Sequence, residues 1–259
     1  SGTWQYNSNG TYGSTTWANA TVNAELYAIQ EAMTGAVNSV TSGANDLASV
    51  SLTASKGVSG QTTGPEGLAF NPTGTRMIVA STSGNNILEY HLSSGFDVTT
   101  ATYDSAYSMG SVGRVDGVAF SSDGTHMYVV GYSSNYIHQF SLSTGFDIST
   151  ASPVRTLDIS SYQTNPRDVQ INNDGTKIYT VSDNDDQIEE WSMSTAYNLS
   201  TASHQSSTNI SAQSGNAQGF HFSADGSVMF VCDESDNNGT VYQYSLSTPF
   251  DISSLSYTN

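Results

Sequence analysis

The apolar positions of this chain fall into short alternating runs that return at a fixed interval. In the clearest copy, Gly117-Val-Ala-Phe is a short apolar run closed by Ser122-Asp123-Gly124. Thr125 to Val130 then alternates, carrying Met127 and Val129, and a polar loop leads to a third run, Tyr136 to Leu142. The turn Ser143-Thr-Gly-Phe-Asp-Ile-Ser-Thr follows, then a weaker fourth run, Pro153 to Ile159. Period-two alternation bounded by Gly, Asp and Ser predicts strands, and Asp-Gly between two apolar runs predicts a tight hairpin of type I′.

The same text recurs from Gly67, Asp168 and Gly219, with turn glycines Gly74, Gly124, Gly175 and Gly226 spaced 50, 51 and 51 residues apart. Four antiparallel strands per roughly 40–50 residues is the blade of a β-propeller. The expected fold is therefore all-β, four blades of about 51 residues over 48–259. The short Gly-led run suits the innermost strand at the crowded axis, and the polar fourth run suits the rim. Ala48 to Lys56 reads as a fourth strand placed ahead of the first full unit, while the last unit breaks off at Ser254-Leu-Ser-Tyr-Thr-Asn. A strand borrowed from the N-terminal side would close the ring without leaving an edge. A ring shared between chains, or part of a larger ring, is the rival arrangement.

Residues 1–47 lie outside the repeat. After an extended polar stretch the period changes, and Val22, Leu26, Ile29, Met33, Val37 and Val40 recur at three- and four-residue spacing. That is an amphipathic helix with a coiled-coil-like seam, and it predicts anchoring and self-association, as a trimer.

Composition narrows the function classes. Six Lys+Arg face 23 Asp+Glu among 259 residues, for a formal net charge of −17. So little cationic surface argues against nucleic acid and against anionic membrane surfaces. No apolar run reaches the roughly 18 residues of a membrane helix, and no signal peptide opens this chain. Cys232, the single cysteine, sits in the apolar run Val228-Met-Phe-Val-Cys and reads as a small core residue.

Candidate sites lie where the copies differ. Asp123, Asp174 and Asp225 repeat in register, as do Asp97, Asp147, Asn198 and Asp251, and so read as turn-formers. Just before each innermost strand, Glu66, Asp116, Arg167 and Gln218 differ from blade to blade around the channel mouth, and Tyr132 and Tyr136 sit around a loop. These six are the candidate binding residues, with aromatic faces suited to a sugar ring. The loops after the second strands of the last two blades cluster Asp183, Asp185, Asp186, Asp233, Glu234 and Asp236, a supply of hard oxygens that suits Ca²⁺ if any ion is bound; no other cofactor is expected. The five histidines are scattered, and no nucleophile elbow or paired metal spacing occurs, so no catalytic set is expected.

The phrases Phe140-Ser-Leu-Ser-Thr-Gly-Phe-Asp-Ile-Ser-Thr-Ala and Ser121-Ser-Asp-Gly-Thr-His-Met-Tyr-Val-Val resemble YVTN-type propeller repeats of bacterial and phage surface proteins, also found in lactonase-like propellers. Thr16-Trp17 through Gln30 is similar to the base of phage head-fibre and tail-fibre proteins. Together these resemblances imply a non-enzymatic virion structural protein on the particle surface. Residues 1–47 would join other virion proteins, and the propeller would meet a host-surface glycan. The alternatives are an extracellular propeller enzyme, lactonase- or lyase-like, and a cell-surface filament subunit.

Overall fold

A computed structural model of the protein describes residues 53–110, 112–234 and 239–257. The helix expected over 22–40 lies outside them. Each repeat becomes one four-stranded antiparallel blade with its strands in chain order. Blade 1 is β1 (Pro65–Phe70), β2 (Arg76–Ser81), β3 (Asn86–Leu92) and β4 (Ala101–Ser108). Blade 2 is β5 (Gly117–Phe120), β6 (His126–Val130), β7 (Tyr136–Leu142) and β8 (Ala151–Asp158). Blade 3 is β9 (Pro166–Ile171), β10 (Lys177–Ser182), β11 (Gln187–Met193) and β12 (Ala202–Asn209). Blade 4 is β13 (Ala217–Phe222), β14 (Val228–Asp233), β15 (Thr240–Leu246) and β16 (Leu255–Tyr257). The fold is a β-propeller of four blades, as the periodicity predicts. The first strands of the blades, β1, β5, β9 and β13, are innermost, each against the next.

Two expectations are corrected. The last blade has its own fourth strand, β16, and among the described residues 53–58 are coil where the closing strand over 48–56 is expected, the rest of which lies outside the described residues. The Asp-Gly hairpins are not type I′. Only the glycine has positive φ (Gly124, 72°), and its N–H bonds to Ser121 O at 2.9 Å, which marks a type I turn followed by a left-handed glycine. The carboxylate of Asp123 takes the Thr125 N–H at 3.0 Å and the Ser121 hydroxyl at 2.7 Å, so the aspartate holds the turn instead of adopting positive φ. Glycine is required for a second reason. A Cβ on Gly124 would sit 2.1 Å from the Phe146 ring, which folds back over the turn from the blade's Gly-Phe-Asp corner.

That corner carries the joints between blades. After it comes a 3₁₀ turn, capped by the side chain of Asp97, Asp147, Asn198 or Asp251 accepting the N–H two residues on. A third-strand side chain of the preceding blade then latches the corner. Glu89 accepts the Ile148 N–H at 3.0 Å and is salt-bridged by Arg76. Gln139 accepts the Leu199 N–H at 3.2 Å and donates to Tyr197 O at 2.6 Å. Glu190 accepts the Ile252 N–H at 3.3 Å, while Lys177 bridges Glu190 at 2.7 Å and donates to Phe250 O at 2.9 Å. Around each latch lies a core shared by neighbours. Ile78, Ala80 and Ile87 meet Met127, Val129 and Phe140; Tyr128, Val130 and Ile137 meet Ile178 and Trp191; Tyr179, Val181 and Ile188 meet Phe220, Met229 and Tyr244. A fourth cluster, Met77, Val79, Leu88, Tyr90 and Leu92, stays within blade 1 and the preceding Val58. None of the four joins blade 4 to blade 1.

Candidate active site at the channel mouth

Four of the six candidate binding residues converge at one end of the innermost strands. Glu66 is in β1, Asp116 precedes β5, and Arg167 is in β9, at equivalent places in successive blades. Arg114, two residues before Asp116, completes the set. Its Nε donates to Asp116 Oδ1 at 2.8 Å and its Nη2 to Glu66 Oε1 at 3.1 Å. Arg167 donates through Nη1 to the same Asp116 oxygen at 3.1 Å, and through Nε and Nη2 to Asp183 Oδ2 at 2.8 and 2.5 Å. The other oxygen of Asp116 accepts the Tyr132 N–H at 2.9 Å. The Tyr132 ring lies beside both guanidiniums, 4.3 Å from Arg167 Cζ and 5.3 Å from that of Arg114. Gly131 makes this approach feasible, since a Cβ there would sit 1.8 Å from Arg114 O.

The electrostatics follow from burial and pairing. Asp116 is buried and would be costly to ionise alone, but two guanidiniums and a backbone N–H surround it. Burial by itself would lower the Arg167 pKa, but the bonds and charges of Asp183 and Asp116 outweigh it and hold the guanidinium above its usual value. Asp183 Oδ1 is buried and has no hydrogen-bond partner. The Arg114 Nη1 is used by neither of that residue's ion pairs. The mouth therefore sets a donor beside an aromatic face, with a buried carboxylate oxygen of Asp183 linked to it through Arg167. Three carboxylates (Glu66, Asp116, Asp183) outnumber two guanidiniums.

Below the mouth the axis holds a residue that the sequence reading passes over. Gly67, Gly117 and Gly219 occupy equivalent positions, and blade 3 puts Asp168 there. Its Oδ1 accepts the Val169 N–H at 2.8 Å and its Oδ2 the Phe220 N–H at 3.1 Å. A Cβ on Gly117 would meet Asp168 Cα at 2.6 Å, so the glycine opposite admits the larger residue. Burial raises the Asp168 carboxyl to about 7, against the lowering effect of the two backbone N–H bonds. The exchange of one repeated Gly for Asp is the signal that singles it out.

The remaining candidates lie elsewhere. Gln218 bonds to Asn216 within its own blade at 2.6 Å, and Tyr136 packs edge-on against His138. Asp185 accepts the Thr164 N–H at 2.7 Å, and Asp233 takes the Ser214 hydroxyl and the Asn216 N–H at 2.5 and 2.9 Å. These two acidic groups therefore hold loops. Asp186, with positive φ, has its carboxyl raised by burial and by the charges of Asp233, Asp183 and Asp185. Glu234 bonds through its backbone N–H to Asn216 O, and Asp236 lies outside the described residues. Among the described residues the metal-type ligands that converge are Glu89, His91 and Asp104, yet the Glu89 oxygens are already taken by Arg76 and Ile148. Cys232 is exposed, which corrects its reading as a core residue. Partial desolvation by the surrounding strands and the Asp168 charge push the thiol pKa up despite that exposure, so it is a poor nucleophile at neutral pH. A groove of about 430 Å³ lies away from the mouth, between the outer strands of blades 1 and 2, lined by Tyr107, Met109, Phe140 and Val154. It brings together no acid–base pair. Among the described residues no helix is long and apolar enough to cross a membrane.

The site is thus a polar, ion-paired mouth at one end of the axis of a β-propeller, a fold that by itself does not fix a function. Residues 117–249 match the model of the family "Lactonase, 7-bladed beta-propeller", and the chain belongs to that family. Solved structures agree on the fold. A protein from Lactobacillus plantarum superposes with a TM-score of 0.54 at 16% identity, over 75% of this chain and 54% of its own. A candidate 6-phosphogluconolactonase from Bacteroides uniformis gives 0.51 at 14% identity, over 73% and 55%. Hydrazine synthase from Kuenenia stuttgartiensis gives 0.50 at 14% identity, over 76% and 49%. The chain thus spans about half the length of the structures it matches. No curated protein matches the sequence significantly. The family match overturns the expectation of a non-enzymatic virion fibre or adhesion protein and points to an enzyme. The resemblance to YVTN repeats and to phage fibre bases finds no support beyond the propeller itself.

Proposed function

We propose that the channel mouth hydrolyses an uncharged polyhydroxy lactone. The observation that carries this reading is the concentration of two of the chain's six cationic side chains, Arg114 and Arg167, on Tyr132 beside the unpartnered Asp183 Oδ1. Asp183 Oδ1 takes a proton from water as that water's oxygen bonds to the lactone carbonyl carbon. The oxyanion that forms faces the Arg114 Nη1 N–H groups, and a fixed donor there favours the charge of the transition state. Collapse breaks the ring C–O bond. The departing alkoxide takes the proton back from Asp183, leaving a hydroxy acid. Tyr132 offers its face to the sugar ring, and Glu66 an acceptor for a hydroxyl.

Charge selects the substrate. With three carboxylates against two guanidiniums at the mouth, and −17 on the whole chain, a phosphorylated lactone is repelled on approach. The test is a pH-stat assay on an uncharged 1,5-aldonolactone and its phosphate ester. The uncharged lactone is expected to turn over faster, and Asp183→Asn to lower kcat about 10²–10⁴-fold, as loss of a general base does. Turnover unchanged in Asp183→Asn, or none on either substrate, would refute the proposal.

A further inference from the structure

We infer that the groove between the outer strands of blades 1 and 2 binds a small phenol, the free counterpart of the tyrosine side chain that fills the same place between blades 2 and 3. Two departures from the repeat open this groove. The first is a missing residue. Asp168 follows Ile159 by nine residues and Gly219 follows Ile210 by nine, whereas Gly117 follows Met109 by eight. The loop after β4 is thus one residue short, which is why Gly74 and Gly124 are 50 residues apart and the other turn glycines 51. Counted back from the innermost strands, Val112 stands where Gln163 and Ser214 stand, and all three are buried. The residue lost is therefore the one that the next loop supplies as Tyr162.

The second departure is in the fourth strand. Tyr90, Phe140, Trp191 and Tyr244 are paired across the ladder with Tyr103, Pro153, His204 and Tyr257. Three blades put a flat ring at that place and blade 2 puts Pro153. The junction of blades 2 and 3 shows what the two positions do together. The Tyr162 ring stacks on His204 at 3.8 Å between centroids and meets Trp191 edge-on at 6.4 Å. Lacking both rings, the junction of blades 1 and 2 keeps a groove of about 430 Å³, within the size range of small-molecule sites. Its walls include Tyr107, Met109, Val112, Phe140 and Pro153, with the Tyr107 and Phe140 rings edge-on at 5.7 Å. Such walls suit a single aromatic ring.

One polar atom sets the chemistry of the guest. His138 lies two residues before Phe140 in β7, on the same face of the strand, and lines the groove. Its Nε2 is buried and has no hydrogen-bond partner. Glu189, at the same place in blade 3, bonds to His204 Nε2 at 2.7 Å and accepts the Ser207 hydroxyl at 2.6 Å. Burial lowers the His138 pKa, so the imidazole is neutral at pH 7 and Nε2 takes one hydrogen bond as donor or acceptor. A phenolic hydroxyl serves either role, and a buried polar atom favours a guest that pairs it over a hydrocarbon of the same shape. Among the described residues no carboxylate lines the groove, although the chain carries 23, so a cationic ring finds no counter-charge there.

The test is a titration of the full chain with p-cresol, followed by calorimetry, with toluene as the same ring lacking the hydroxyl. The wild type is expected to bind p-cresol with a dissociation constant below about 1 mM, and about tenfold more tightly than toluene, as one added hydrogen bond allows. Pro153→Tyr copies Tyr103 and Tyr257, and should abolish binding while melting as cooperatively as the wild type. His138→Leu copies Leu88 of blade 1, and should reduce p-cresol to the affinity of toluene. A wild type that does not bind p-cresol would overturn the inference, including the case in which an aromatic side chain from elsewhere in the chain or from a partner protein already fills the groove. Binding undiminished in Pro153→Tyr would overturn it too, and so would equal wild-type affinities for p-cresol and toluene.

Discussion

Blades 3 and 4 carry the same strands, turns and corner, yet the faces they turn toward the next blade differ in fate. On blade 3, Tyr179, Val181 and Ile188 are buried under blade 4, with Glu190 latched to Ile252 and charge-paired to Lys177. On blade 4, Val241 and Cys232 stand in the same places and are exposed among the described residues. The difference shows where the stability of this repeat protein resides. Within a blade antiparallel ladders join all four strands, while much of the apolar burial is divided among junctions, as in any nearest-neighbour array.

The sharpest way to break that comparison is to unlatch a closed junction. Glu89→Ala removes a buried carboxylate that satisfies both Arg76 and the Ile148 N–H, and is expected to cost about 3–5 kcal/mol. Urea denaturation measures it, and a cost below about 1 kcal/mol would mean the latch is ornamental. Next come the paired truncations Ile137→Ala and Val241→Ala. The first opens a cavity between blades 2 and 3 and should cost about 2–5 kcal/mol. The second, at an exposed position, should stay within about 0.5 kcal/mol. A Val241→Ala cost as large as that of Ile137→Ala would mean that this face is covered.

The axis offers a pH test. Asp168 has its carboxyl raised to about 7 in the native state from an ordinary value of 3.8. The native state then binds the proton more tightly than the unfolded chain, so stability falls as pH rises between about 4 and 7 and levels off above. The loss is on the order of a few kcal/mol. Asp168→Asn should remove that slope in urea melts taken from pH 4 to pH 8, and a slope unchanged in the variant would assign it to other groups. The smallest effect belongs to the hairpin turns. Asp174→Ala loses the bonds to the Thr176 N–H and hydroxyl and should cost about 1 kcal/mol by thermal denaturation, with no effect on the mouth.

Much of the fold is legible in the order of residues. Gly74, Gly124, Gly175 and Gly226 mark the period, the alternation marks the strands, and the repeated aspartates read correctly as turn-formers because the groups they bond lie two residues away. The candidate site is half legible. Glu66, Asp116 and Arg167 stand out because they differ at equivalent places. Arg114 does not, because its link to Glu66 spans 48 residues and forms only when blades 1 and 2 pack side by side. The acidic loops misled for the same reason: Asp183 and Asp185 look alike in sequence, yet one meets Arg167 and the other meets Thr164. Cys232 misled differently. Its apolar neighbours promise burial, and every equivalent residue is buried, but burial needs a neighbouring blade.

The sequence by itself determined the blade: its length, its four strands, its turns and which strand lies at the axis. Those features rest on local hydrogen bonds and on side-chain alternation, both written within a span of about 51 residues. Only the tertiary structure decided which charges meet at the mouth and that Asp168 packs against Gly117 and Gly219 of the neighbouring blades. Those outcomes depend on distances between blades, and the order of residues within one blade does not encode its neighbour.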